Sequence, residues 1–448
     1  MNTPICDFVK KYADKGGLRL HMPGHKGISE GLLGIERLDI TEIEGADVLY
    51  SGDGIIAESQ KNASKLFGSR KTLYSTEGSS LSIRAMIYLA NLHALNLGKK
   101  AKILAGRNAH KTFLSAIALL DVEVEWIYPE GIESVMSCKI DAENIRKYLS
   151  QCEEKPTAVY ITSPDYLGNT SDIEKIAQVC HEQGALLLVD NAHGAYLKFL
   201  PEDKHPITLG ADICCDSAHK TLPVLTGGGY LHIGEGAPEH IVDGAEQAMA
   251  LFASTSPSYL VMQSLDRANL YLSDSYRERL AVAAEKFDVL KRKLEDKGLL
   301  IVGDEKLKLT VAPKSYGYTG EEAAAILQDS GIVCELYDPD HVVMMLTPEI
   351  DDCGLARLEE ALLSLERREP ITETPPAIPK CERATNIRQA MLSPSHEVKV
   401  SDACGEILAA PSVSCPPAVP ILVCGEKITP DAIKCFEYYG IDKVRVLI

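Results

Sequence analysis

The chain has 448 residues, 45% of them hydrophobic and 25% charged, with a formal net charge of −18. This composition is typical of a globular protein large enough for two or three domains. The acidic balance argues against a nucleic-acid partner, because phosphate binding needs a basic surface. There is no run of about 20 apolar residues and no signal-peptide core, so we expect a cytoplasmic protein without a membrane partner.

The thirteen cysteines are scattered and include no CxxC pair. An odd number in a long chain predicts reduced thiols that pack as small hydrophobes, with Cys214 and Cys215 in the core. A zinc ribbon is not predicted, and we expect no metal site.

Alternating strand and helix patterns occupy the first half of the chain. A helix is predicted after Gly78, with Ile83, Ile87, Ala90 and Ala94 on its apolar face. The other predicted helices are 111–120 and 171–183, and the predicted strands are 101–106, 122–128, 157–163, 185–190 and 210–216. This alternation favours an α/β fold in which helices cover both faces of a mixed, mostly parallel sheet.

The second half of the chain predicts a long charged helix over 273–297 and then smaller elements. These are strands at 306–313, 332–338 and 341–348 and helices at 319–331 and 354–367. The Pro- and Thr-rich segment 369–382 is the predicted linker. We therefore expect a large domain over 1–272, a small α+β domain over 273–370, and a linker with a C-terminal domain over 371–448.

Three strand or helix ends carry polar side chains where ligands gather in open α/β sheets. Gly78, Ser79 and Ser80 open a helix, which suits a phosphate dianion, although a simple serine N-cap explains them equally. Asp190 closes a buried strand, where a carboxylate needs a cation or several donors. Lys220 follows the next strand, where most lysines would only cover apolar surface.

A phosphate-binding helix start, a carboxylate and a lysine are the three protein features that bind pyridoxal 5′-phosphate. The helix start would bind the phosphate, Asp190 would stabilise the protonated pyridine nitrogen, and Lys220 would bond covalently to the aldehyde. The sequence therefore predicts a pyridoxal-phosphate enzyme.

Eight segments resemble, in order, the bacterial ornithine/lysine/arginine decarboxylases, in the short form without the N-terminal receiver-like domain. They are LHMPGHKG (20–27), LDITEIEGADVLY (38–50), RNAHKTFLSAI (107–117), ITSPDYLGNTSDI (161–173), LLLVDNAHGAY (186–196), DSAHKTLPVLTGGGYLHI (216–233), STSPSYLVMQSLD (254–266) and CPPAVPILVCGE (415–426). The resemblance implies an aspartate-aminotransferase-like large domain of pyridoxal-phosphate fold type I, plus smaller C-terminal α+β domains. Two departures, Ala418 and Cys424, stand where glycine and proline are commoner in the family.

The resemblance also implies roles for individual residues. Lys220, His219 and His110 would be catalytic, with His110 stacked on the cofactor ring and Lys220 or His219 returning a proton to Cα. The implied cofactor ligands are Ser79, Ser80, His110, Asp190, His193, Ser217, His219 and Lys220, together with Thr255 and Ser256, which would reach the phosphate of a neighbouring subunit. A homodimer, or a higher oligomer built from it, is therefore expected.

The expected reaction is decarboxylation of lysine, ornithine or arginine to the amine used in polyamine biosynthesis. A basic substrate needs an acid in its pocket, for which Asp47, Glu44 and Glu426 are candidates. Two alternatives remain open at this point. One is an aminotransferase or carbon–sulfur lyase on the same scaffold, with Arg388 as a carboxylate clamp, and the other is a non-catalytic regulator that binds the cofactor.

Overall fold

The computed structural model describes residues 1–28, 33–128, 134–411 and 420–448. Its helices are α1 Pro4–Asp14, α2 Ile55–Phe67, α3 Gly78–Asn96, α4 Lys111–Leu120, α5 Ala142–Gln151, α6 Ile173–Glu182, α7 Ala218–Thr221, α8 Glu239–Phe252, α9 Tyr259–Ser273, α10 Tyr276–Lys297, α11 Gly320–Asp329, α12 Asp352–Leu363, α13 Ile387–Leu392 and α14 Pro430–Tyr438. Its strands are β1 Lys71–Ser75, β2 Lys102–Gly106, β3 Glu123–Ile127, β4 Ala158–Thr162, β5 Leu186–Asp190, β6 Ile213–Asp216, β7 Gly229–Ile233, β8 Leu300–Val302, β9 Lys308–Ala312, β10 Leu336–Tyr337, β11 Val342–Met345, β12 Ser395–Lys399 and β13 Lys443–Leu447.

The chain forms two compact units. The first unit comprises residues 1–101 and 173–279, and the second comprises residues 102–172 and 280–448. The three-domain boundaries expected from the sequence stay a prediction.

In the first unit the strands lie in the order β1-β7-β6-β5. β5 and β6 are parallel, with Asp190 opposite Cys215, whereas β7 runs antiparallel to both of its neighbours. Every residue of β5 and β6 is buried, as expected for strands covered on both faces. The helix α3 packs against α8, β6 and β7, and its predicted apolar face is buried.

In the second unit β4, β2 and β3 are parallel to one another, and β10-β11-β9-β8 form an antiparallel sheet. A separate antiparallel pair joins β12 to β13. The mixed, mostly parallel α/β sheet and the additional α+β elements agree with the sequence prediction. The strand β10 is much shorter than the predicted 332–338, because only two residues pair with β11 and Val333 is exposed.

The predicted linker 369–382 contains no helix or strand. Among the described residues no helix is both long and apolar enough to cross a bilayer, and each cysteine of those residues is free. Cys214 and Cys215 are completely buried, which confirms their predicted core positions.

Candidate active site

The ends of β5 and β6 bring Asp190 and the Lys220 segment together in the first unit. Asp190 is only 2% exposed, and its Oδ1 accepts hydrogen bonds from the Ala192 N–H at 3.2 Å and the Cys215 thiol at 3.6 Å. Parallel pairing of β5 with β6 makes this possible, since both strands end at the same edge.

Lys220 lies next to His193 at this edge. The distance from Lys220 Nζ to His193 Nε2 is 2.9 Å, and the His193 ring is buried. An ammonium has only donors, so the imidazole nitrogen that faces it is the acceptor. This contact brings the predicted covalent lysine and a predicted cofactor ligand into one place.

A glycine turn supports the start of α3 beside these strand ends. Gly78 has a φ of +63°, a conformation that favours glycine, and its N–H donates to the Gly227 carbonyl at 2.6 Å. A Cβ on Gly229 would lie 2.8 Å from the Asp216 carbonyl oxygen and 3.0 Å from the Gly78 carbonyl carbon. Both positions therefore need glycine to keep the helix start close to β6.

Two predicted phosphate ligands meet at the same helix start. The Ser79 N–H donates to the Ser217 hydroxyl at 3.3 Å, and the N-cap residue Glu77 makes no side-chain capping bond. Helix N-termini with exposed dipoles bind anions. The His219 Nδ1–H donates to the Gly228 carbonyl at 2.9 Å, which fixes the orientation of its ring.

Sequence reasoning missed a buried polar network behind β6. The Asp216 carboxylate accepts from His205 Nε2 at 3.0 Å, His232 Nε2 at 3.2 Å and Asn191 Nδ2 at 2.7 Å. Burial opposes ionisation of Asp216, but the charges and hydrogen bonds of the two histidines outweigh it and hold the carboxyl pKa below its usual range. Because Asn191 follows Asp190, this network fixes the end of β5.

The sequence did contain one signal of that network. The alternation in GYLHI puts His232 on the same face of its strand as Tyr230, and a histidine on a buried face needs a partner. The partner could not be named, because the sequence does not tell which strand lies beside β7.

Thr255 and Ser256 are exposed on the first unit. The Ser256 N–H donates to the Ser254 hydroxyl at 3.1 Å, and the Ser254 N–H donates to the Glu77 carboxylate at 2.9 Å. The segment is thus tied to the residue that precedes α3. Their contact with a neighbouring subunit remains a prediction.

His110 belongs to the second unit, where it caps α4. Its Nδ1 accepts from the Thr112 N–H at 3.2 Å and lies 3.0 Å from the Thr112 hydroxyl. The stacking role predicted for the ring remains a prediction.

A buried ion pair joins the segment before His110 to Glu426 in the second unit. Arg107 has no exposed surface and Glu426 is 3% exposed. The guanidinium donates to the two carboxylate oxygens at 3.1 and 3.3 Å, and Val423 N–H adds a bond of 2.7 Å. Tyr128 OH donates to Glu426 at 3.3 Å. Both oxygens of Glu426 are therefore engaged within the unit. Residue 418, one of the two positions at which this segment departs from the family pattern, lies outside the described residues.

The remaining candidate substrate residues have local contacts. Asp47 Oδ2 accepts from the N–H groups of Ile56 and Ala57 at 2.9 and 3.2 Å, which caps α2, and Glu44 is exposed. Arg388, the possible carboxylate clamp, donates to the carbonyls of residues 118 and 119 at the end of α4. Its contacts do not support a clamp.

The α/β units and the lysine at the strand edge define a class of enzyme, the one with the fold-type-I architecture of pyridoxal-phosphate enzymes. Comparison of structures agrees. The crystal structure of the Francisella novicida lysine decarboxylase LdcF superposes with a TM-score of 0.80 over 100% of this chain and 81% of that one, at 16% identity. At that identity the likeness shows the fold.

Sequence comparison gives the family. Residues 3–302 match the model of the major domain of Orn/Lys/Arg decarboxylases. The chain is 30% identical to an arginine decarboxylase of Bacillus subtilis over 96% of its own length and 92% of the relative, and 29% identical to the uncharacterized protein YaaO of the same organism over 97% and 93%. The chain belongs to the Orn/Lys/Arg decarboxylase family, which confirms the predicted family and the predicted amino-acid decarboxylase.

Proposed function

We propose that this decarboxylase acts on arginine, with pyridoxal 5′-phosphate bound in the first unit, and releases carbon dioxide and agmatine. The observation that carries the proposal is the 2.9 Å contact of Lys220 with His193 at the strand edge that ends in Asp190. Arginine is favoured among the basic amino acids because four relatives named arginine decarboxylase are 26–30% identical over 94–96% of the chain.

The residues at this edge fit the cofactor. The start of α3 offers N–H groups for a dianion, and Asp190 is a buried carboxylate that accepts hydrogen bonds from two neutral donors. We assign the phosphate to Ser79, Ser80, Ser217 and the helix start, and the pyridine nitrogen to Asp190. Bound pyridoxal phosphate supplies an aldehyde for covalent attachment and a ring that accepts electrons.

Lys220 and His193 act as a proton pair. A lysine is a nucleophile only as the neutral amine, so its ammonium must lose a proton. His193 Nε2 is the acceptor at 2.9 Å, and its burial excludes bulk water from that side of the pair. His193 is therefore proposed to hold the proton that Lys220 releases.

His219 is oriented for the return of a proton to the substrate Cα. Donation from Nδ1 to the Gly228 carbonyl fixes the ring, and we assign proton exchange with the substrate to Nε2. Lys220 and His219 remain the two candidate donors to Cα.

The Arg107–Glu426 pair is proposed to position the loop that leads to His110. Each side chain is desolvated, and together they join the end of β2 to the C-terminal segment of the second unit. The contacts favour this role for Glu426 over direct binding of the substrate. By the same reasoning Asp47 is proposed to cap α2.

We also propose a cytoplasmic homodimer in which Thr255 and Ser256 reach the partner's cofactor phosphate. Their exposure is what such a contact needs. Mixing Lys220→Ala chains with Thr255→Ala/Ser256→Ala chains tests it, because only a hybrid dimer contains one complete site. Recovery of activity supports the shared site. If hybrid dimers form from the two inactive variants and still show no activity, the shared site is contradicted.

The main experiment compares arginine, lysine and ornithine as substrates in the presence of pyridoxal phosphate, with the amine and carbon dioxide measured. Lys220→Ala is expected to lose both product formation and the visible absorbance of bound cofactor. Lys204→Ala is the matched control, because Lys204 is an exposed lysine of the same unit. Equal agmatine formation by Lys220→Ala would refute the proposed chemistry. A faster reaction with lysine or ornithine would refute the substrate assignment alone.

A further inference from the structure

The turn between β10 and β11 gathers three ligand-type side chains in the second unit. Asp338, Asp340 and His341 each offer one atom, and these atoms all lie within 4.8 Å of one another. Asp338 and Asp340 are each 7% exposed. The cluster belongs to none of the segments assigned above to the cofactor or the substrate.

Part of this cluster is satisfied by the protein. Asp338 Oδ1 accepts from the N–H groups of Asp340 and His341 at 2.8 and 2.7 Å. Asp340 Oδ1 accepts from the Tyr438 hydroxyl at 2.7 Å and pairs with the Lys314 ammonium at 2.8 Å. These bonds hold both carboxylates and the turn in place.

The other atoms of the cluster are buried without a hydrogen-bond partner among the described residues. They are Asp338 Oδ2, Asp340 Oδ2 and His341 Nδ1. The His341 Nδ1 atom lies 3.3 Å from Asp338 Oδ1, but without the geometry of a hydrogen bond. Buried polar atoms normally have partners, and leaving a carboxylate oxygen unpaired is costly. Each of the three residues therefore offers an atom to a ligand that accepts lone pairs.

A second cluster provides a contrast. His205, Asp216 and His232 also lie within 4.8 Å of one another, but the Nε2 atoms of both histidines are bonded to Asp216. His232 Nδ1 is bonded to the Thr72 hydroxyl and His205 Nδ1 to the Ile207 N–H. No imidazole nitrogen is left for a metal there, whereas the turn at Asp338 keeps its donor atoms.

The lysine in the turn cluster does not supply the missing partner. The Lys314 ammonium is shared among Asp340, the Tyr438 hydroxyl at 2.6 Å and the Glu373 carbonyl at 3.0 Å. Two carboxylates and one ammonium leave the cluster with a net negative charge, so a cation is favoured. Asp340 and His341 also line a cavity of about 710 Å³, which gives an entry path.

We propose that Asp338, Asp340 and His341 bind a divalent transition-metal ion, Zn²⁺ or Mn²⁺. Carboxylate oxygen and imidazole nitrogen are the ligands these ions take in proteins, and three protein ligands leave a position open for water. The ion holds Asp340, which accepts from the Tyr438 hydroxyl of α14, and so restrains the contact between the β10–β11 turn and that helix. Its role is to stabilise the second unit, independently of the decarboxylase reaction.

The test uses the whole protein, stripped of metal by a chelator and then reloaded separately with Zn²⁺, Mn²⁺ or Mg²⁺. Metal retained after desalting is measured by inductively coupled plasma mass spectrometry, affinity by titration calorimetry and stability by thermal unfolding. We expect about one Zn²⁺ or Mn²⁺ per chain and a raised unfolding midpoint.

Asp338→Asn is the informative variant, because its amide oxygen can still accept the two N–H bonds that shape the turn. It is expected to weaken metal binding roughly tenfold or more and to abolish the shift in midpoint. His341→Gln is the second variant, should Asp338→Asn fail to fold, and Asp288→Asn is the exposed carboxylate control. No retained Zn²⁺ or Mn²⁺, or retention by both cluster variants equal to that of Asp288→Asn, would overturn the proposal.

Discussion

Glu426→Gln is expected to destabilise the second unit strongly. The substitution leaves the Arg107 guanidinium fully buried without its carboxylate partner. Removing one member of a buried pair costs about 3–5 kcal/mol. The glutamine oxygen can still accept one of the bonds from Arg107 or Val423, and Arg107 Nη2 keeps contacts of 3.4 Å with two carbonyls. We therefore expect a loss near the lower limit, about 3 kcal/mol.

Trp126 makes this loss directly measurable. It is the only tryptophan in the chain, and the Arg107 Cζ atom lies 5.4 Å from the centroid of its ring. Urea unfolding followed by its fluorescence reports the region that contains the ion pair. With an m-value of about 3 kcal/mol/M, the expected loss lowers the midpoint by about 1 M urea.

Two further variants separate the unpaired charge from other causes. Asp288→Asn removes a pair with Lys306 in which both side chains are more than one-third exposed, and it should cost no more than about 1 kcal/mol. The double replacement Arg107→Met/Glu426→Leu removes both charges and should recover much of the stability. If Glu426→Gln loses no more than Asp288→Asn, or if the double variant is as unstable as the single one, the reasoning about desolvated charge is wrong.

Three other substitutions test separate contacts. Gly194→Ala should lower the free energy of unfolding by about 1–3 kcal/mol and reduce activity, because its Cβ would lie 1.9 Å from Asn191 Oδ1. Urea unfolding and turnover measurements check this. His181→Gln should lower the free energy of unfolding at pH 5.5 but hardly change it at pH 8.5. The hydrogen bond to Asp212 raises the His181 pKa, so its contribution is complete below the unfolded-state pKa of about 6.5 and is lost as pH rises through the folded-state pKa. Asp47→Asn should keep the KM for arginine, because the amide oxygen can still cap α2.

Each of these has a clear contrary result. Gly236→Ala is the control for the glycine, because a Cβ there meets nothing within 4 Å, and equal effects of the two substitutions would contradict the close-approach explanation. If the loss of stability caused by His181→Gln grew with rising pH, the predicted direction of the pH dependence would be wrong. The half-exposed His181 side chain limits the size of that effect to under about 1 kcal/mol. A large rise in KM for Asp47→Asn would restore Asp47 as the acid that binds the substrate.

Local patterns in the sequence determined the elements that carry the candidate active site. The bounds of α4 agree with the predicted 111–120, and those of β5 with the predicted 185–190 to within one residue. Apolar periodicity and turn residues act over a few positions, so they are readable in the chain itself. The positions of Asp190 and Lys220 after two successive strands, one crossover apart, then pointed to neighbouring strand ends, as found.

Partners of buried charges were decided only by the tertiary structure. Glu426 and Arg107 are 319 positions apart, and the contact of His232 with Asp216 depends on β7 lying beside β6. The capping role of Asp47 and the unpaired atoms at Asp338 and Asp340 also appear only after folding. A charge or hydrogen-bonding group taken out of water is stabilised by whichever donors and acceptors packing places around it. That choice follows from sheet order and loop path, which local sequence patterns do not specify.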